Sequence, residues 1–125
     1  MQSLALSSTP GLGWPARLLL LVGAFEALLV SDRKSGLQQA FSERFAGLVA
    51  PDPAHLPEWT AWVGLAYRLR SDLVHGRPAT GTLKRLSAPP EEYVARLERA
   101  GVVALCRLLG SSALVHQWQV EAAPC

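Results

Sequence analysis

The chain has 125 residues and a net charge of +2, and half of its residues are hydrophobic. Its length fits one domain with a core of its own, and its hydrophobic fraction excludes a disordered body. No segment shows the period-two alternation of Val, Ile, Thr and Tyr that is typical of strands. We therefore expect an all-α fold.

Residues 1–13 are mostly small and polar and include Gly and Pro, which predicts a flexible leader. The first predicted helix follows this leader. Pro15 is suited to the first turn of a helix that continues to about Val30. This helix is apolar on nearly every side, which predicts a buried helix that is central or also faces a partner. Its apolar run is interrupted by Glu26 before it is long enough to span a bilayer, so no membrane association is expected.

The next predicted helix covers about residues 36–49, and a Pro-rich connection leads to a third helix. The third helix begins near Pro57 or Glu58 and ends just past His75, because Gly76 and a following proline terminate helices. One apolar stripe of the third helix consists of Trp62, Ala66, Leu69 and Leu73.

The remainder of the chain predicts a loop over residues 77–88 and a fourth helix from near Pro90 to about Leu109. Residues 14–110 therefore form an up-and-down bundle of four main helices. Residues 111–125 are expected to be a tail or a short helix that can dock on the core.

The two cysteines, Cys106 and Cys125, do not form a disulfide framework. Cys106 lies in an apolar helical run, which predicts a buried structural thiol. The chain has no closely spaced Cys/His ligand pairs, so no metal and no other cofactor is expected. The predicted location is a reducing cytoplasm.

The residues best suited to chemistry are Arg70 and His75, near the end of the third helix. A histidine can move a proton near neutral pH, and an arginine can hold a phosphate through two hydrogen bonds. Together they supply what metal-free RNA cleavage requires. The competing interpretation is a helix-capping histidine beside surface arginines.

The spacing of this pair sets a geometric problem, because five helical steps turn by about 500° and leave Arg70 and His75 roughly 140° apart. Either the helix breaks near His75, or two chains combine their residues. Ser71 and Asp72 share the face of His75 and are candidates to orient its imidazole. Asp72 can instead pair with Arg68.

A basic stretch surrounds the pair. Between residues 67 and 86 there are five basic residues and one acid, a local net charge of +4. Such a concentration of charge can meet a phosphate backbone, although cations also suit a helix C-terminus. The candidate RNA-binding residues are Arg68, Arg77, Lys84 and Arg85.

The segment Tyr67-Arg68-Leu69-Arg70-Ser71-Asp72-Leu73-Val74-His75-Gly76 resembles the "Y-x-L-R-S-x-h-V-H-G" signature (h, any apolar residue) of HEPN domains, and most closely that of the Apea-like group. In the first helix, Ala24-Phe25-Glu26-Ala27-Leu28-Leu29 is similar to the family's "A-L-E-A-L-L" segment. The second helix, with residues 41–46, matches the position of an apolar helix in that group. The resemblance covers roughly residues 16–109.

This resemblance implies that Arg70 and His75 are the catalytic pair, that Ser71 is the polar residue after the arginine, and that Glu26 is a recurring acid facing the motif. It also implies a homodimer in which two motifs meet in one cleft, and a metal-independent endoribonuclease of toxin–antitoxin or anti-phage defence systems. An RNA substrate and an antitoxin or defence partner protein are then expected. Arg77 departs from one subgroup, which has a tyrosine at that position.

Two alternatives remain open at this stage. The first is a non-catalytic HEPN-like module that binds RNA, a nucleotide or a protein partner. The second is a plain helical dimerisation protein, which exposure of Trp59, Trp62 or Trp118 on one face would support.

Overall fold

The computed structural model describes residues 13–110, so the predicted leader (apart from Gly13) and the predicted tail lie outside the described residues. The described part is all-α, as predicted, and has no strand. Four long helices pack against one another, with one 3-10 turn and one short helix between them. The elements are α1 (Trp14–Val30), α2 (Leu37–Val49), the 3-10 turn Pro53–His55, α3 (Leu56–Val74), α4 (Thr80–Arg85) and α5 (Pro90–Leu108).

Proline and glycine set several of these limits. Pro15 lies in the first turn of α1, as expected, because proline lacks only an N–H that a helix start leaves unpaired. The Asp52 carboxylate accepts a hydrogen bond from the His55 N–H at 3.1 Å and caps the 3-10 turn that leads into α3. Gly76 ends the helical path after His75 with a φ of +67°, a conformation that other residues rarely adopt.

The core lies where one face of each long helix meets the others. α1 contributes Leu18, Val22 and Phe25, and Phe25 packs edge-on against Phe45 of α2 with ring centroids 4.8 Å apart. The buried face of α3 consists of Trp59, Val63, Ala66 and Leu69, whereas the predicted stripe members Trp62 and Leu73 are half-buried. Cys106 is a buried free thiol, as predicted.

The prediction of a buried α1 holds for one face of the helix only. On its outer face, the side chain of Leu20 is 67% exposed and that of Leu28 57%.

Polar contacts join both ends of α1 to other helices. At one end, Arg17 Nε donates to Glu98 of α5 at 3.0 Å. Near the other end, Arg44 of α2 binds the Asp32 carboxylate at 2.9 Å, and this hydrogen bond lowers the pKa of Asp32. No helix among residues 13–110 has both the length and the hydropathy needed to cross a bilayer.

The prediction of a loop over residues 77–88 was wrong, because Thr80–Arg85 within it forms the short helix α4. Its Thr-Gly-Thr start has low helix propensity. Tertiary contacts compensate: Thr82 is buried and its hydroxyl donates to Asp72 of α3 at 2.9 Å, and Leu86 is buried in the core. A local sequence pattern does not contain such contacts.

A glycine in α5 permits a close helix contact that can be tested. A Cβ at Gly101 would lie 3.1 Å from a ring carbon of Phe25 and 3.3 Å from a methyl of Leu21. We expect Gly101→Val to lower the free energy of unfolding by about 2 kcal/mol, because overpacking forces the core to shift. Gly47→Ala is the matched control, since a Cβ there meets nothing within 4 Å; it should raise stability by about 0.5–1 kcal/mol. Urea denaturation measures both, and equal effects of the two changes would contradict this packing.

Candidate functional site

The first half of the candidate site is a cluster of three polar side chains between α1 and α3. Tyr67 donates its hydroxyl to Glu26 Oε2 at 2.7 Å, and Arg70 Nη2 binds the other carboxylate oxygen, Glu26 Oε1. The Arg70 guanidinium also lies over the Tyr67 ring, 5.1 Å from its centroid. Glu26 thus contacts two residues of the motif.

Partial burial makes this cluster electrostatically significant. The Arg70 side chain is 18% exposed and that of Glu26 27%. A carboxylate at such a position costs free energy unless it is paired, and here it accepts from a cation and a hydroxyl. Among the described residues, Nε and Nη1 of Arg70 have no hydrogen-bond partner, so part of its donor fork is available for another anion.

The second half of the site is the last turn of α3. The His75 N–H bonds to the Ser71 carbonyl at 3.0 Å, so the backbone is still helical at His75. The imidazole Nδ1 lies 2.8 Å from the same carbonyl oxygen. Because a carbonyl oxygen can only accept, Nδ1 carries the proton, and in the neutral ring Nε2 retains a free lone pair. The exposed His75 therefore presents a proton acceptor to solvent.

Arg77 fixes the residues around this turn. Its Nη2 donates to the Ser71 hydroxyl at 2.7 Å, and its Nε lies 3.5 Å from an Asp72 carboxylate oxygen. Asp72 also receives the Thr82 hydroxyl hydrogen bond and is only 14% exposed in its side chain. Of the two orienting candidates, Ser71 contacts His75 whereas Asp72 contacts Arg77. No pairing of Asp72 with Arg68 occurs among the described residues.

The two halves face different directions. Arg70 points toward α1, and His75 lies on the solvent face of α3, as the angular separation along the helix predicts. The helix does not break before His75 in a way that would bring the pair together. Within one chain, Arg70 and His75 therefore have separate sets of contacts.

The four predicted RNA-binding residues differ in their surroundings. Arg77 contacts Ser71 and Asp72, whereas Arg68, Lys84 and Arg85 are exposed and have no ion pair or hydrogen-bond partner for their side chains among the described residues.

The prediction from the sequence did not include the Tyr67 hydroxyl in the Glu26 cluster. The only available signal was its position three residues before Arg70, on the neighbouring part of the helix surface.

The pKa of the Tyr67 hydroxyl provides a test of the geometry of this cluster. Burial first, and then the hydrogen bond to Glu26, raise the pKa of Tyr67 to about 12, compared with about 10 in the unfolded chain. The protonated Tyr67 hydroxyl therefore makes its full contribution to the stability of the fold below pH 10. This contribution is lost as the pH rises toward 12.

We expect Tyr67→Phe to lower the free energy of unfolding by about 1–2 kcal/mol at pH 8, because a hydrogen bond to a charged group is lost. The difference between Tyr67→Phe and wild type should narrow between pH 10 and pH 12. Denaturation at several pH values measures it, and a difference that stays constant over this range would contradict the Tyr67–Glu26 contact.

Comparisons of the chain with protein-family models, with curated proteins and with solved structures give no match. The fold and the site together define a small all-α protein in which α3 displays two polar clusters, one centred on Glu26 and Arg70 and one on His75.

Proposed function

We propose that this protein is a metal-independent endoribonuclease of the HEPN type that acts as a homodimer, with a toxin or anti-phage defence role as the expected setting. The observation that carries the proposal is His75 Nε2, which has no hydrogen-bond partner among residues 13–110, at the end of a helix that also presents Arg70, two of whose nitrogens lack a partner there. A base and a phosphate ligand are the two groups that cleavage through a ribose 2′-hydroxyl requires.

The chemical step follows from these groups. His75 Nε2 takes the proton of the 2′-hydroxyl, and the 2′-oxygen forms a bond to the adjacent phosphorus. The bond from phosphorus to the 5′-oxygen breaks, and that oxygen takes a proton from water. Arg70 donates to the non-bridging phosphate oxygens, where negative charge accumulates in the transition state. The products are a 2′,3′-cyclic phosphate and a 5′-hydroxyl.

A second copy of the chain solves the problem of divergent side chains. In a two-fold dimer, the same surface of both chains is used, so Arg70 of one copy can approach His75 of the other. The exposed apolar face of α1, with Leu20 and Leu28, is the surface we assign to this contact. The assignment rests on this exposure, because Glu26 lies roughly 120–160° around α1 from Leu20 and Leu28.

This interface predicts a change in oligomeric state. We expect Leu20→Glu/Leu28→Glu to convert a dimer into a folded monomer and to remove cleavage, because both side chains are exposed in the single chain and contribute little to its core. Sedimentation velocity and circular dichroism measure the two properties. The matched control Leu105→Glu/Leu108→Glu changes two exposed apolar residues of α5, and dissociation by the control alone would contradict the assignment.

The direct test of the activity is RNA cleavage in EDTA, followed by analysis of the product ends. Cyclic phosphate and 5′-hydroxyl ends are expected, and an RNA with 2′-deoxy positions throughout should stay intact. Cleavage of the deoxy strand at the same rate would contradict the mechanism.

A second candidate function is a non-catalytic module that binds RNA or a partner. It is supported by the contacts within one chain, since Glu26 and Tyr67 already engage Arg70 and the Ser71 carbonyl engages His75. RNA binding without any cleavage product would favour this alternative.

A further inference from the structure

A groove of about 480 Å³ opens along the outer face of α3 and is not part of either polar cluster. Residues of α2 and α3 line most of it, and α4 contributes Arg85. A volume of this size falls in the range of natural ligand sites. The side chains that matter for its chemistry are Gln38 and Gln39 of α2, Thr60 and Arg68 of α3, and Arg85 of α4.

The groove has an unbalanced positive charge. None of the described residues that line it is acidic. Arg68 and Arg85 contact no carboxylate among the described residues, so their guanidinium groups are available to an external anion. Five other arginines do contact a carboxylate: Arg17, Arg44, Arg70, Arg77 and Arg96.

The helical register connects the groove with His75. Gly64, Arg68, Ser71 and His75 follow one another at four- and three-residue steps and so lie on one face of α3. Arg68 precedes His75 by seven residues, which is about 10 Å along the helix. Asp72 adds no open negative charge to this path, because Arg77 and Thr82 cover it.

The floor of the groove is kept open by a small residue. A Cβ at Gly64 would lie 3.2 Å from the Ser42 hydroxyl oxygen of α2. The glycine therefore permits the close approach of α2 and α3 and leaves space above the helix surface. The Ser42 and Thr60 hydroxyls donate to carbonyls of their own helices, and Gln39 donates to Glu43. The Gln38 amide and the oxygens of these groups can pair with base edges, which carry both donors and acceptors.

We propose that this groove binds the single-stranded RNA that flanks the cleaved bond, with Arg68 and Arg85 holding a phosphate and the glutamines contacting a base. The assignment of an RNA strand rests on the proposed endoribonuclease function. The strand runs along the outer face of α3 toward His75. Binding in the groove thereby determines which phosphate reaches the imidazole.

The test uses the full chain and a fluorescent single-stranded RNA with 2′-O-methyl groups, which cannot be cleaved. Arg68→Gln/Arg85→Gln should raise the Kd by about 10-fold or more at low salt, because two charged hydrogen bonds to phosphate are lost. The dependence of log Kd on log salt should fall by about 0.7 for each phosphate contact removed. The matched control, Arg33→Gln/Lys34→Gln, removes two charges from the turn between α1 and α2 and should change the Kd less than twofold.

Two results of the binding assay would overturn the groove assignment. One is equal weakening of RNA binding by both double variants. The other is binding of a duplex RNA of the same length that depends on Arg68 and Arg85 to the same extent. Cleavage kinetics distinguish a failure of the groove proposal from a failure of the proposed endoribonuclease activity. Loss of groove binding should raise KM by about the same factor as it raises Kd. If wild-type protein binds RNA through the two arginines but never cleaves it, the activity is refuted and the groove stands. If cleavage depends on His75 but neither Kd nor KM responds to Arg68 and Arg85, the groove is refuted alone.

Discussion

Replacing His75 with Ala is expected to lower the rate of RNA cleavage by about 100- to 10,000-fold, the range that a positioned general base contributes. The imidazole is exposed, and within residues 13–110 its hydrogen bonds are with Ser71, one turn earlier in the same helix. The fold should therefore be unaffected, with a change in the free energy of unfolding within about 0.5 kcal/mol. Single-turnover cleavage of a defined RNA measures the effect on chemistry.

The control for this experiment is His55→Ala. His55 is also exposed, but it lies in the 3-10 turn beside Asp52, at the opposite end of α3. Its replacement should leave kcat unchanged. Equal cleavage by wild type and by His75→Ala would show that the activity does not come from this imidazole.

Replacement of Arg70 is expected to have the second largest effect, because Arg70 has a structural and a chemical role. Arg70→Ala should lower the free energy of unfolding by about 1–3 kcal/mol, since it leaves the partly buried Glu26 carboxylate without its cation. The same change should lower kcat by about 100- to 1,000-fold, because a donor to the developing phosphate charge is lost.

Arg70→Lys separates the two roles. Lysine keeps a positive charge beside Glu26, so most of the stability should remain. It lacks the planar donor fork that holds a carboxylate and a phosphate together, so cleavage should still fall at least tenfold. A Lys variant with the kcat of wild type would show that charge alone is required at this position.

Glu26 influences how Arg70 can act. The carboxylate is paired with the guanidinium, and the Tyr67 hydroxyl donates to the same carboxylate. In the proposed enzyme, Glu26 would neutralise much of the Arg70 charge until a phosphate approaches. Glu26 is therefore a residue that positions the Arg70 guanidinium. The arrangement also explains a charged residue within the apolar sequence of α1.

The sequence predicts the all-α fold well because periodic apolar residues, prolines and glycines act locally. The limits of α1, α2, α3 and α5 agree with the prediction within about two residues, as expected for helix ends. α4 was missed because contacts distant in sequence, Thr82 with Asp72 and Leu86 with the core, hold it. The sequence did not indicate which face of α1 is exposed, because an all-apolar helix has no polar side to mark its outer face.

The residues of the candidate site were proposed from the sequence, and their contacts were predictable only in part. The spacing of Arg70 and His75 predicts their divergence, which the helical geometry of α3 shows. The preference of Asp72 for Arg77 over His75 depends on the turn at Gly76, which brings Arg77 back against the helix. The groove beside Arg68 depends on how α2 and α4 flank α3, and helical periodicity alone does not determine that packing.

The most direct test of the composite site is subunit mixing between Arg70→Ala and His75→Ala. Each variant alone should be inactive. After unfolding and refolding together in equal amounts, half of the dimers are mixed, and each mixed dimer has one intact pair, with Arg70 from one chain and His75 from the other. We expect about a quarter of the wild-type cleavage rate to return. No recovery, in a mixture shown to contain mixed dimers, would contradict an active site built from two chains.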